Sequence, residues 1–128
     1  MPSPTILWAE DNRHDQLLIE AALATASRPP AVSFADDGMH LLDRLRGQKP
    51  DLVVLDLKMP RLGGIETLRR IRGNPEWNRL RVSIFSAGNQ PDEIAACQAL
   101  GVVDVQQKPV DFDHFTQAVH RLVAAARP

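Results

Sequence analysis

Two neighbouring acids, Glu10 and Asp11, follow the short apolar run from Ile6 to Ala9, and a third acid, Asp56, closes the run from Leu52 to Leu55. Ser86 ends another run, Val82 to Phe85, and Lys108 stands before Pro109 just beyond a fourth, Val102 to Val105. A buried apolar segment has no use for a carboxylate unless its end opens onto something that needs one. Carboxylates gathered at such ends repel, which raises their pKa values or calls for a cation between them. Oxygen-only ligands favour a hard ion, and a site with few protein ligands that keeps several waters suits Mg2+. A metal, a nucleophilic carboxylate, a hydroxyl and a lysine at one crevice make a phosphoryl-transfer site, because the charge developing on three equatorial oxygens needs cations and hydrogen-bond donors around it. In that chemistry Asp56 attacks phosphorus and carries the phosphoryl as a mixed anhydride. The metal sits between Asp11, Asp56 and a backbone carbonyl near Lys58, while Glu10 holds a metal-bound water. Lys108 pairs with Asp56 before transfer and with a phosphoryl oxygen after it, and Ser86 turns its hydroxyl toward the phosphoryl.

These residues meet only if the chain folds so that the ends of its apolar runs share one edge. Short apolar strands alternate with helical periodicity five times, the pattern of a parallel sheet covered by helices on both faces. Strands are predicted at Ile6 to Ala9, Val32 to Ala35, Leu52 to Leu55, Val82 to Phe85 and Val102 to Val105. Ile19, Ala22, Leu23 and Ala26 line the first helix, and Leu41, Leu42 and Leu45 the second, opened by Asp37-Gly38. Ile65, Leu68 and Ile71 line the third, Ile94, Cys97 and Leu100 the fourth, with Gly101 as its stop. Asp111 caps the fifth, whose stripe runs through Phe112, Phe115, Val119, Leu122, Val123 and Ala126. The expected architecture is α/β, a doubly wound five-stranded parallel sheet in the order 2-1-3-4-5, with its ligand crevice outside the carboxyl ends of strands one and three. Five such units consume residues 1–128 as one domain and leave no room for an output domain.

Composition fits this reading. Hydrophobic residues make up 44% of the 128, charged residues 24%, and the formal net charge is -1, so no broad basic field for nucleic acid exists. The longest apolar runs are four or five residues, and "MPSPTILWAED" lacks a signal-peptide pattern, which argues against a membrane span or export. The lone Cys97 cannot form an internal disulfide and suits a reducing cytoplasm. His14, His40, His114 and His120 show no metal-ligand pairing and read as surface residues. Arg69, Arg70, Arg72, Arg79 and Arg81 read as a solvated face, with Trp77 among them as the one hint of docking.

"AEDN" after strand one, "DLKMPRLGG" after strand three, Ser86-Ala87 after strand four and Lys108-Pro109 after strand five resemble the receiver domain of two-component response regulators, over essentially the whole chain. The resemblance implies a flavodoxin-like fold and a phosphoacceptor switch, assisting its own phosphotransfer and dephosphorylation, in place of a metabolic enzyme. It implies that Asp56 accepts phosphate from a sensor histidine kinase, that Glu10 and Asp11 form the acidic pocket for Mg2+, and that Ser86 and Lys108 are the switch hydroxyl and the phosphate-pairing lysine. It also implies a cis Lys108-Pro109 bond. Met59-Pro60 and Gly63-Gly64 shape the turn behind Asp56, the glycines tolerating backbone angles others would not.

"VDFDHF" after the proline and the connection "RGNPEWNRLRV" resemble single-domain regulators that partner bacterial phytochromes. That implies a bacteriophytochrome kinase as donor, a homodimer, and a readout through a downstream protein or phosphotransfer partner. The sequence departs from the family at Val105, where receivers usually carry an aromatic, and at Gln106 and Gln107, where apolar residues are common. Position 58, a lysine, either shields the phosphoryl or steers attacking water, or else is a solvated loop cation. Three other readings compete. A haloacid-dehalogenase-type phosphatase shares the aspartate nucleophile and Mg2+, but places a second carboxylate where Lys58 stands. A flavin module needs a hydroxyl- and glycine-rich loop where Glu10 and Asp11 would repel phosphate. An unphosphorylated adaptor has no need of the acidic set.

Overall fold

The computed structural model describes residues 3–127. Ten elements alternate without exception: β1 (Thr5–Ala9), α1 (Arg13–Ala24), β2 (Ala31–Ala35), α2 (Gly38–Leu45), β3 (Leu52–Leu55), α3 (Gly64–Arg72), β4 (Val82–Ser86), α4 (Pro91–Ala99), β5 (Asp104–Gln107) and α5 (Phe112–Ala124). The strands form one parallel sheet in the order β2-β1-β3-β4-β5.

Alternation along each strand divides the core into two clusters, because successive side chains point to opposite faces. Ile6, Trp8, Leu52, Val54 and Phe85 face α1 and α5 and meet Ile19, Leu23, Phe115, Val119 and Leu122. Leu7, Ala9, Val53, Leu55, Val82 and Ile84 face the other way, onto Leu41 and Leu45 of α2, Leu68 and Ile71 of α3 and Cys97 of α4. The β3 strand is buried at every position, which is why its sequence is continuously apolar. Trp8, Phe85 and Phe115 form an edge-on chain, with centroids 5.9 Å and 5.2 Å apart, that ties the centre of the sheet to α5.

Helix starts follow their caps. Asn12, Asp37 and Asp111 each accept a hydrogen bond from the amide three residues on, at Asp15, His40 and His114. Gly101 ends α4 with φ +74°, as its position after the last turn predicts.

Four sequence expectations need correction. The fifth strand lies two residues later than its apolar run: the ladder pairs Ser83 with Asp104 and continues to Gln107 opposite Ser86. Val102 and Val103 only lead in, with the Val103 amide donating to Val82 O at 2.8 Å, and Val103 half-exposed. An edge strand buries one side, so its apolar content does not mark its limits. No cis peptide bond occurs among the described residues; Lys108-Pro109 is trans, the isomer favoured even before proline.

Gly63 and Gly64 are not at positive φ: Gly63 is extended at φ -72° and ψ 168°, and the left-handed residue of this turn is Arg61, at φ 63°. Gly64 is needed for space instead, since a Cβ there would lie 2.4 Å from Asp56 O and 2.8 Å from Leu57 Cα. Finally, Trp77 is half-buried against the second core cluster, and Arg72 is a staple: its guanidinium donates to Leu100 O, Leu80 O, Gly101 O and Asn78 O.

Candidate functional site

At the carboxyl edge of the sheet, β1 delivers Glu10 and Asp11, and β3, β4 and β5 deliver Asp56, Ser86 and Lys108. Backbone bonds fix their relative heights: the Asp56 amide donates to Ala9 O at 3.2 Å and the Lys108 amide to Ser86 O at 3.0 Å. The Glu10 amide donates to Ala35 O, and its carbonyl accepts from Gln16 Nε2 at 2.7 Å, so the chain leaving β1 is clamped from both sides.

Asp56 lies at the centre and is 5% exposed. Its Oδ1 accepts from the Ser86 hydroxyl at 2.6 Å and from the Lys58 amide at 3.0 Å. Its Oδ2 accepts from Lys108 Nζ at 2.8 Å. Ser86 Oγ in turn accepts from the Leu57 amide at 3.3 Å, linking the end of β4 to the loop behind the aspartate. Lys108 Nζ also donates to Glu10 Oε1 at 2.7 Å and to Asp15 Oδ2 at 2.8 Å.

Carboxylate oxygens of Glu10, Asp11 and Asp56 all lie within 4.8 Å of one another, with Glu10 and Asp56 buried and Asp11 exposed at the mouth. Three converging oxygen donors fit a divalent hard cation that keeps waters on its open side. Burial pushes the Glu10 carboxyl up to about 7, against the opposing pull of Lys108 and the Asn12 amide. At Lys108 burial favours the neutral amine, but the hydrogen bonds to Asp15, Asp56 and Glu10 outweigh it and hold the pKa above the ordinary lysine range. The ammonium is therefore a fixed charge among these acids.

The crevice holds about 360 Å³ and is lined by these residues together with Lys58, Ala87 and Gly88. A larger hollow of about 500 Å³ opens between the ends of α1 and α5, beside Arg28, His120 and Arg127, but its lining has no carboxylate. Chemistry belongs to the smaller, acidic crevice.

All six residues singled out from the sequence, Glu10, Asp11, Asp56, Lys58, Ser86 and Lys108, line it. Two participants were missed. Asp15 reaches it from the first turn of α1, and no sequence signal marked it, because an acid at a helix start is ordinary. Asp37 holds the loop after Asp56 from the side: Arg61 Nε donates to its Oδ2 at 2.6 Å and Nη2 to its Oδ1 at 3.1 Å. Neither partner marks the other in sequence, 24 residues apart. Val105 lies half-buried on the α4 side of the sheet, so the departure from an aromatic leaves a smaller side chain beside β4, the strand that ends in Ser86.

Comparison with known proteins gives a consistent picture. A family profile described as "Response regulator receiver domain" matches residues 6–120. A protein-glutamate methylesterase/protein-glutamine glutaminase of Trichodesmium erythraeum is 33% identical over 121 residues, covering 93% of this chain and 34% of its own length. This chain thus spans about a third of that relative. Response regulator Rcp1 of Synechocystis sp. is 29% identical over 108 residues, covering 79% of this chain and 74% of its own.

The crystal structure of the Mn2+-bound form of Rcp1 superposes with a TM-score of 0.83 at 26% identity, covering 92% of this chain and 90% of that one. That of the phosphorylated cyanobacterial phytochrome response regulator RcpA superposes with a TM-score of 0.84 at 31% identity, covering 91% and 89%.

Proposed function

This chain belongs to the response regulator receiver domain family of two-component signalling, and on that footing we propose that Asp56 accepts a phosphoryl group from a sensor histidine kinase. Receiver domains are phosphoacceptor switches, and the observation that carries the reading here is the convergence of Ser86, Lys58 and Lys108 on the two oxygens of one buried aspartate beside Glu10 and Asp11.

In the proposed step a carboxylate oxygen of Asp56 attacks phosphorus, the bond from phosphorus to the donor nitrogen breaks, and a mixed anhydride forms on Asp56. Ser86 and Lys108, now spent on the carboxylate, move their donors to phosphoryl oxygens without leaving the crevice. The Lys58 amide holds Oδ1 in place, and its side chain, close to Gly88 across the opening, screens the phosphoryl from water. Glu10, Asp11, Asp56 and the Lys58 carbonyl would hold Mg2+, which would supply positive charge to offset that of the phosphoryl.

Release of the Ser86 hydroxyl from Asp56 and of Leu57 from Ser86 would free the loops after β3 and β4, which biases an existing equilibrium between two states. With a valine at position 105, that bias is transmitted by the loops themselves, without an aromatic rotamer. The likeness to RcpA supports a bacterial phytochrome kinase as the phosphodonor. The proposal extends to action as a stand-alone cytoplasmic domain with a readout by protein contact, through a downstream partner or a homodimer. Incubation with Mg2+ and acetyl phosphate, followed by intact mass measurement, is expected to add one phosphoryl to the parent and none to Asp56→Asn. Equal labelling of both excludes Asp56 as the acceptor.

A further inference from the structure

Asp15 contacts Lys108 as closely as Glu10 and Asp56 do, yet the chemistry above gives it no task. It lies outside the set of carboxylate oxygens that a single cation could gather, and its side chain is 22% exposed. Its position is well fixed. The Asp15 amide donates to the Asn12 side chain at 3.0 Å, and the next residue, Gln16, is tied to Glu10 O, so the first turn of α1 is anchored to the end of β1.

An ammonium has three N–H donors. Here each has its own carboxylate: Glu10 Oε1, Asp56 Oδ2 and Asp15 Oδ2. Two of those acceptors belong to the group that would take up a divalent cation, and one of these two is also the proposed phosphoacceptor. Asp15 alone has no second claim on it. We propose that Asp15 is a positioning residue for Lys108. It keeps the ammonium at the crevice while Glu10 and Asp56 turn to the metal, so that the cation need not evict the lysine. This rests on the reading of the crevice as a Mg2+-dependent phosphoacceptor site.

Without the Asp15 carboxylate, Lys108 retains only partners that the metal also needs, and the two cations compete for them. Asp15→Asn still accepts a hydrogen bond but contributes no charge. Loss of a negative charge would weaken a nearby cation by its field alone, and the two explanations separate once Lys108 is removed. If Asp15 acts through the lysine, its substitution has no effect in Lys108→Met; if it acts by its field, the effect persists.

The test is titration calorimetry with MgCl2 on the parent, Asp15→Asn, Asp15→Glu, Lys108→Met and the double variant Asp15→Asn/Lys108→Met. Each is first shown to be folded by thermal unfolding in chelator. Mg2+ affinity is expected to fall about fivefold to tenfold in Asp15→Asn, the scale of a partly exposed charge-assisted contact. It is expected to return to within about twofold of the parent in Asp15→Glu, and the double variant is expected to match Lys108→Met within about twofold.

An unchanged affinity in Asp15→Asn, or an equal fall in both lysine backgrounds, overturns the proposal while leaving the phosphoacceptor reading intact. A parent that binds no Mg2+ overturns both. Absence of an Asp56-dependent mass gain, with Mg2+ binding as described, counts against the phosphoacceptor reading alone.

Discussion

A methyl group at Gly64 would collide with the backbone of Asp56, the residue on which the proposed chemistry depends. The nearest atom, Asp56 O, is main chain and cannot rotate away, so Gly64→Ala must shift the start of α3 or the end of β3. It is expected to cost about 1–3 kcal/mol in urea unfolding and to slow phosphoryl uptake measured by intact mass. Gly63→Ala, whose nearest neighbour is Leu57 O at 3.3 Å, is expected to cost less than about 1 kcal/mol and to leave labelling near normal. Glycine pairs in sequence announce that something is tight without saying what, and here the constraint was close approach, with Arg61 taking the left-handed backbone. The site was legible where chemistry needs unusual residues at strand ends, as at Glu10, Asp56 and Lys108. It was not legible at Asp15, because an acid in the first turn of a helix is ordinary whether or not a lysine waits across the crevice.

Between elements, arginines do much of the joining, and sequence alone does not show it. Arg72 reads as one of five solvated cations, yet its guanidinium satisfies four carbonyls from the end of α4 and the connection into β4. Arg72→Ala leaves those carbonyls to water or to nothing, and is expected to cost about 1–2 kcal/mol by chemical denaturation. Arg72→Lys, with no planar fork, recovers only part.

The Asp37–Arg61 pair joins α2 to the loop after Asp56 in the same way. The hydrogen bonds from Arg61 hold the Asp37 carboxyl below the usual carboxylate range despite its burial. Because the folded carboxyl binds its proton less tightly than the unfolded one, the pair's stabilisation is complete above about pH 4 and is lost as the pH falls through the folded value. The difference in unfolding free energy between the parent and Asp37→Asn is therefore expected to stay flat from neutral pH to about pH 4 and to shrink below it. A difference that persists unchanged to about pH 2.5 would show that capping, and not the charge pair, supplies it. Helix caps are local and were read correctly at Asp37 and Asp111; the limits of β5 were not, because an edge strand with Gln106 and Gln107 in its ladder has no continuous apolar signature.

Over the whole molecule, the sheet order followed from the count of βα units, for which 2-1-3-4-5 is a common doubly wound arrangement, and the burial of β3 and β4 at every position agrees with their places inside the sheet. No helix among the described residues is long and apolar enough to cross a membrane. The formal net charge of -1 conceals an uneven distribution: Glu10, Asp11, Asp15 and Asp56 share one crevice with Lys108 and Lys58, a formal excess of two negative charges when every acid is ionised. Like charges held together by the fold oppose folding, and a cation that binds only the folded crevice relieves them. Mg2+ is therefore expected to raise the unfolding temperature in proportion to the logarithm of its concentration. At one hundred times its dissociation constant the stabilisation is about 2.7 kcal/mol, which for a chain of this size corresponds to roughly 10 °C. Chelator should reverse the shift. Asp11→Asn, which removes an exposed acid from the mouth while leaving Lys108 and its partners in place, is expected to keep or slightly raise the unfolding temperature in chelator and to lose most of the response to Mg2+. A full response in Asp11→Asn would place the cation elsewhere on the surface and remove the metal from this crevice.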